Sequence, residues 1–178
     1  MSQEVTRRKV EHVEMALKHD LAAPQAASWA DIRLIHQALP EVDLDAVDTS
    51  VDFLGKRLRA PLFISSLTGG HADVAIINER LARAAQRYGV AMGVGSQRAA
   101  IAAPELAATY AITREQAPDA FLIANIGAPQ LIPQAHKQPF SLADVRAAIE
   151  MIGANALAIH LNYLQEAAQP EGDGKARG

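Results

Sequence analysis

The chain has 178 residues, no cysteine and a formal net charge of −3 from 17 basic and 20 acidic side chains, with 49% hydrophobic and 21% charged residues. That is one domain or part of a larger one, apolar enough to bury a core. The missing cysteine excludes disulfides, thiol catalysis and Cys-ligated zinc or iron–sulfur centres, and the slight acidity argues against a globally basic nucleic-acid binder. No apolar stretch approaches the ~20 residues a spanning helix needs. Met1 to Lys18 carries charges throughout and no signal-peptide centre. A cytoplasmic protein that binds neither membrane nor nucleic acid is expected.

Residues 1–20 are charged and weakly helical, with Arg7-Arg8-Lys9 followed by His12. The Ala- and Pro-rich stretch 20–27 reads as a linker. Ser28 with Asp31 forms a capping-box pattern, and Ile32, Ile35 and Leu39 recur at helical spacing. A helix is therefore predicted from Ser28 up to Pro40. Val47, Thr49, Val51 and Phe53 alternate with Asp48, Ser50 and Asp52, the pattern of a half-buried strand. Leu54-Gly55-Lys56 reads as a turn and Arg57 to Ala60 as a return strand, giving a hairpin.

From residue 61 the pattern changes. Pro61 to Ser66 is a short apolar run ending in Thr68-Gly69-Gly70. A helix is predicted over 72–88, with Ile77, Leu81, Ala84 and Tyr88 on one face, a Glu79–Arg83 pair at i,i+4 and Gly89 as its stop. Val90 to Val94 is a second run, ending in Gly95-Ser96-Gln97-Arg98. A helix opens at Pro104 and runs to about Gln116. Phe121 to Ala124 is a third run, ending in Asn125-Ile126-Gly127. After a longer loop, Ser141 and Asp144 form a second capping box, and Gly153 follows the helix. Ala156 to Leu161 is a fourth run, ending in Asn162. The order is strand, helix, strand, helix, strand, helix, strand. Continuous apolar strands are how a parallel sheet covered on both faces reads. A doubly wound sheet and a (β/α) barrel both fit.

Each apolar run leads at once into polar residues or glycines, and in parallel α/β folds strand C-terminal ends converge on the ligand site. Each instance alone has a bland account. Thr68-Gly69-Gly70 can be a tight turn, or a place where a ring or phosphate approaches the backbone. Gly93-Val94-Gly95 is too weak for a dinucleotide fingerprint. Arg98 can be a surface charge, but Ser96, Gln97 and Arg98 offer three anion-binding side chains in one loop. Asn125 can cap a turn or bond a heterocycle edge. A lone histidine such as His160 in an apolar run is more often a core residue. Glu166 suits magnesium through oxygen, and no histidine pair has zinc spacing. Four successive instances favour a site over chance.

These residues together resemble the flavin-dependent type II isopentenyl-diphosphate isomerase family. The resemblance rests on Arg8-Lys9 with His12, Phe53-Leu54-Gly55-Lys56, Ala60-Pro61-Leu62-Phe63-Ile64, Leu67-Thr68-Gly69-Gly70, Gly93-Val94-Gly95-Ser96-Gln97-Arg98, Asn125-Ile126-Gly127, His160-Leu161-Asn162, Gln165-Glu166 and Gln169-Pro170-Glu171-Gly172-Asp173. It implies a (β/α)8 TIM barrel, of which residues 61–178 supply about the first four βα units after an N-terminal extension over 1–60 of helices and hairpin. It implies interconversion of isopentenyl diphosphate and dimethylallyl diphosphate with FMN, reduced by NADPH, and Mg2+, in a cytoplasmic homo-oligomer. By the same resemblance Leu67, Thr68, Gly69, Ser96 and Asn125 hold FMN. Arg8, Lys9, His12, Ser96, Gln97 and Arg98 clamp the diphosphate. His160, Asn162 and Gln165 line the reacting substrate, Gln165 orienting or relaying rather than acting as a simple base. Glu166 carries the magnesium.

Two residues depart from the family's pattern, Tyr163 at a usual proline and Leu67 at a usual methionine. The larger departure is length, since a full barrel takes about 250 residues. A half barrel leaves an unpaired strand edge, so the chain is expected to be inactive alone or to work by pairing two halves. The alternatives are a non-catalytic flavin- or phosphate-binding half barrel and an FMN-dependent hydroxy-acid oxidoreductase.

Overall fold

The computed structural model describes residues 11, 13–21, 31–135, 137–161, 163–168 and 172–177. A short helix, α1, covers 13–18 and carries an exposed Lys18–Glu14 pair at 3.1 Å. The linker expected over 20–27 lies mostly outside the described residues. The helix expected to reach Pro40 is not formed: residues 32–39 have no helical turn. The reason is physical. Ile32, Ile35 and Leu39 are 59%, 85% and 84% exposed, and a periodic apolar face makes a stable helix only when something covers it.

The hairpin forms, but its first strand is shorter than predicted. β1 is Val51–Phe53 and β2 is Lys56–Leu58, paired antiparallel. Leu54 and Gly55 turn between them with φ of 46° and 81°, the twist a two-residue hairpin turn requires. Upstream, the Asp48 carboxylate accepts from the Ser50 amide in a local turn, which breaks the extended pattern before Val51.

A second sheet is wholly parallel. Its strands are β3 (Phe63–Ile64), β4 (Ala91–Gly93), β5 (Leu122–Gly127) and β6 (Ala156–His160), lying side by side in chain order. A doubly wound sheet reverses its order partway; this one does not. β3 and β6 are open edges. Five helices accompany the strands: α2 (Ala72–Tyr88), α3 (Arg98–Ala102), α4 (Ala108–Gln116), α5 (Leu142–Met151) and α6 (Tyr163–Ala168). α2 has the predicted limits and stops at Gly89 in the left-handed conformation. Its buried stripe is Val74, Asn78, Ala82 and Ala85, one position round from the predicted face; Tyr88 is 60% exposed. Small residues win this contact because the helix lies close to its neighbours. The Glu79–Arg83 pair forms at 2.6 Å. The helix predicted from Pro104 begins as a 3-10 turn, Pro104–Leu106, before α4. α5 carries the predicted capping box: the Ser141 hydroxyl accepts from the Asp144 amide, and the Asp144 carboxylate accepts from the Ser141 amide. α3 and α6 were not anticipated, being too short to show a period.

Strand alternation divides the core in two. Met92, Val94, Leu122 and Ala124 face the helices and pack with Ala82, Ala85, Tyr110, Ala117 and Ile152. On the opposite face Ala91, Phe121, Ile123 and Ala156 receive Val51, Phe53 and Leu58 of the hairpin. The Phe53 and Phe121 rings meet edge to face at 5.2 Å. Ala91, Phe121 and Ala156 are at or just before strand starts, so the hairpin closes the N-terminal end of the sheet. Among the described residues no helix is long and apolar enough to cross a membrane.

Candidate functional site

The other end of the sheet gathers polar residues. Leaving β3, the chain passes through Leu67, Thr68, Gly69 and Gly70. The Thr68 carbonyl accepts from Gly95 N–H at 2.9 Å and from the Asn78 amide of α2 at 3.3 Å, while Gly70 N–H donates to the Thr109 hydroxyl of α4 at 2.9 Å. The Asn78 amide also donates to the Thr109 carbonyl at 2.9 Å. Gly69 has φ of 139°, and a Cβ there would lie 2.1 Å from Cε1 of Tyr110, so the loop lies flat on that ring. Leu67 is 63% exposed; Thr68 is 3% exposed, and its hydroxyl has no hydrogen-bond partner. A buried unpaired hydroxyl costs about 1–3 kcal/mol. A water or a ligand can satisfy it.

The next two strand ends are locked together. The Ser96 carbonyl accepts from the Tyr110 hydroxyl at 2.7 Å, and Gln97 N–H, on the same peptide, donates to the Asn125 carbonyl at 2.9 Å. Gln97 is fully buried. Its Oε1 accepts from Asn125 N–H at 3.0 Å and its Nε2 donates to the Ala148 carbonyl of α5 at 2.7 Å. Gln97 thus binds strand ends to a helix, and its amide is already used at both ends. Asn125 is 5% exposed with its backbone in this lock, and its side-chain amide makes no hydrogen bond to another described residue. Burial pushes the Tyr110 hydroxyl well above the ordinary tyrosine range, against the opposing effect of the Arg98 charge, so it stays a neutral donor.

A charged cluster borders this lock. Arg98 Nη1 is 3.1 Å from Asp173 Oδ2 and 3.5 Å from Glu166 Oε2. Lys137 Nζ reaches Asp173 Oδ1 at 2.6 Å, Gln130 Nε2 donates to Asp173 Oδ2 at 3.1 Å, and Asp173 N–H donates to Glu166 Oε2 at 3.1 Å. Burial pushes the Asp173 carboxyl up, but hydrogen bonds from Lys137 and Gln130 and the charges of Lys137 and Arg98 outweigh it, and the net direction is down. Two cations thus face two carboxylates. Nε and Nη2 of Arg98, and Oε1 of Glu166, make no hydrogen bond to another described residue. Among the described residues no group of three or more acidic or histidine side chains could hold a metal by itself.

Of the remaining expected residues, His160 ends β6 opposite Gly127 of β5 and is exposed, not the core histidine its apolar neighbours suggest. Gln165 is exposed on α6 beside Glu166. Arg8, Lys9, His12 and Asn162 lie outside the described residues. Sequence reasoning missed Asn78, Thr109, Tyr110, Gln130 and Lys137 and gave Asp173 no role. One signal was available: Asn78 is a polar residue on the stripe Val74–Ala82–Ala85.

A family model described as FMN-dependent dehydrogenase matches residues 1–126. Among curated relatives, isopentenyl-diphosphate delta-isomerase of Methanosarcina mazei is 49% identical over 174 residues, 97% of this chain and 46% of the relative. The protein of that name from Methanoregula boonei is 50% identical over 171 residues, 96% of this chain and 46% of the relative. That from Aeropyrum pernix is 49% identical over all 178 residues, again 46% of the relative. The chain spans about half the length of the curated relatives it matches. On the extent of the family match, the chain belongs to the FMN-dependent dehydrogenase family.

Proposed function

We propose that the chain forms the N-terminal half of an FMN-dependent isopentenyl-diphosphate delta-isomerase of (β/α)8 barrel type, acting on isopentenyl and dimethylallyl diphosphate in isoprenoid biosynthesis. The observation that carries this reading is near 50% identity to isomerases over almost the whole chain. The strand-end geometry fits it. The unpaired Thr68 hydroxyl and the uncommitted Asn125 amide are polar groups suited to the edge of a heterocycle, and Leu67, Gly69 and Ser96 border them. FMN, when bound and reduced, supplies an acid or base at a ring nitrogen, which suits proton transfer at an unactivated alkene.

The chain's own residues bind and orient. Arg98, held through Nη1 by Asp173, presents Nε and Nη2 to the diphosphate, with Ser96 beside it and Arg8, Lys9 and His12 completing the clamp. Glu166 offers Oε1 to Mg2+, which characteristically takes one or two carboxylates and completes its shell with phosphate oxygens and water. His160, Asn162 and Gln165 hold the isoprenyl part, and the Gln165 amide relays or orients rather than abstracting a proton. NADPH is the reductant, and the enzyme is a cytoplasmic homo-oligomer. The open sheet supports pairing: Phe63 on one edge strand is 61% exposed and Ile159 on the other 48%.

The test is anaerobic conversion of isopentenyl to dimethylallyl diphosphate by this chain with FMN, NADPH and Mg2+, assayed across a sizing column. Conversion that needs FMN and elutes at twice the chain mass or more supports the reading. Absence of conversion in every fraction overturns it for this chain, and full-rate conversion by a monomer overturns the pairing. The family description favours one second reading, an FMN-dependent oxidoreductase for hydroxy acids. Oxidation of a 2-hydroxy acid with an electron acceptor would select it. Flavin binding without either turnover would select a non-catalytic half barrel.

A further inference from the structure

We infer that Tyr110, on the outer helix α4 and remote in sequence from every expected ligand contact, is the positioning residue that sets the flavin-binding geometry of two strand ends at once. The inference rests on the FMN reading above.

The ring of Tyr110 is the floor on which Gly69 and Gly70 lie, with an added Cβ at Gly69 falling 2.1 Å from Cε1 and one at Gly70 falling 2.9 Å from the hydroxyl oxygen. The hydroxyl holds the Ser96 carbonyl at 2.7 Å. The same peptide is held at its other end by Gln97 N–H donating to the Asn125 carbonyl at 2.9 Å. A peptide plane pinned at both ends cannot rotate, so Ser96 keeps one orientation relative to Asn125. Thr109, the residue before Tyr110, takes the Gly70 amide, and Asn78 ties Thr109 to the Thr68 carbonyl. The fully buried Tyr110 side chain therefore connects Gly69 and Ser96 directly, while Thr68 is tied in through Thr109 and Asn78 and Asn125 through Gln97. Preorganisation of this kind acts on affinity, because a loop already in its bound shape loses no freedom on binding.

The substitution that isolates the effect is Tyr110→Phe, which keeps the ring under Gly69 and removes only the hold on the Ser96 carbonyl. FMN affinity is read by quenching of flavin fluorescence, together with the position of the bound-flavin absorption bands. The expected result is about three- to tenfold weaker FMN binding, the size of one hydrogen bond, with shifted bands in the bound form. Ile152→Val is the control for stability alone. It trims the same core, where Ile152 is fully buried, and should lower the melting temperature yet leave FMN affinity and spectrum unchanged. Unchanged binding and spectrum in Tyr110→Phe, or an equal loss in Ile152→Val, would overturn the inference. Failure of the unsubstituted chain to bind FMN would instead overturn the reading beneath it, and the inference with it.

Discussion

The two ends of the parallel sheet are built on opposite principles. At the N-terminal end the hairpin lays Val51, Phe53 and Leu58 onto Ala91, Phe121, Ile123 and Ala156. Every contact named there is apolar, and the polar bonds of that end, Lys56 to the Asp119 carbonyl and Gln86 to Asp119, lie at its margin. At the C-terminal end the side chains are polar and near each other, and among the described residues the Thr68 hydroxyl is buried without a partner. The difference separates two jobs within about the length of one strand. The proposed function assigns the first end to stability and the second to a ligand. Substitutions should therefore sort by end, with bottom variants moving stability and top variants moving ligand affinity.

The largest effect should come from Gly69→Ala, which breaks the top. A Cβ at φ of 139° and 2.1 Å from the Tyr110 ring forces the loop off its floor. We expect more than tenfold weaker FMN binding and a stability loss of about 2–3 kcal/mol, from strain and overpacking together, read by flavin titration and urea melts. At the bottom, Phe53→Ala removes a half-buried ring that meets Phe121 edge to face. About 2 kcal/mol of stability should be lost, with FMN affinity unchanged. An equal loss of FMN affinity in both variants would dissolve the comparison.

A smaller effect sharpens the charged border of the top. The Asp173 carboxyl is held below its ordinary range. Its folded value lies below its unfolded one, so its contribution is complete above the unfolded carboxylate range, about 4, and disappears as pH falls through the folded value. The melting temperature of Asp173→Asn should be lower than that of the parent chain at pH 7, and the gap should close as pH falls below about 4. A gap constant with pH would mean that the carboxylate's charge is not what Arg98 and Lys137 hold. The smallest effect is local: Ser141→Ala removes the cap of α5 and should cost about 1 kcal/mol, with no change in FMN binding.

What the sequence showed follows from range. The limits of α2, the Ser141–Asp144 box and the polar strand ends are written in residues close in the chain, so periodicity and spacing suffice. The helix expected up to Pro40 failed because its face needed a covering surface, and Ile32, Ile35 and Leu39 have none that buries them. The buried stripe of α2 was misplaced for a related reason: which face turns inward depends on how closely neighbours approach, and Ala82 and Ala85 permit that approach while Tyr88 does not. Thr68, Ser96 and Asn125 could be singled out as strand-end residues because each follows an apolar run. Tyr110 could not, since its part depends on a bond to Ser96 across 14 residues and on a ring beneath Gly69. For Gln97 likewise, only the fold reveals that its amide bonds Asn125 and Ala148.

The central claim is that the C-terminal end of the sheet is left unsatisfied for FMN, and Thr68→Val tests it most directly. The substitution keeps the shape, removes a hydroxyl that is buried and unpaired among the described residues and should stabilise the free chain, since a polar group no longer goes unpaired. The measurement is a flavin titration of the two proteins beside their urea melts. The account predicts a more stable protein that binds FMN several-fold more weakly. A Thr68→Val chain that is less stable, or that binds FMN as tightly as its parent, would contradict it.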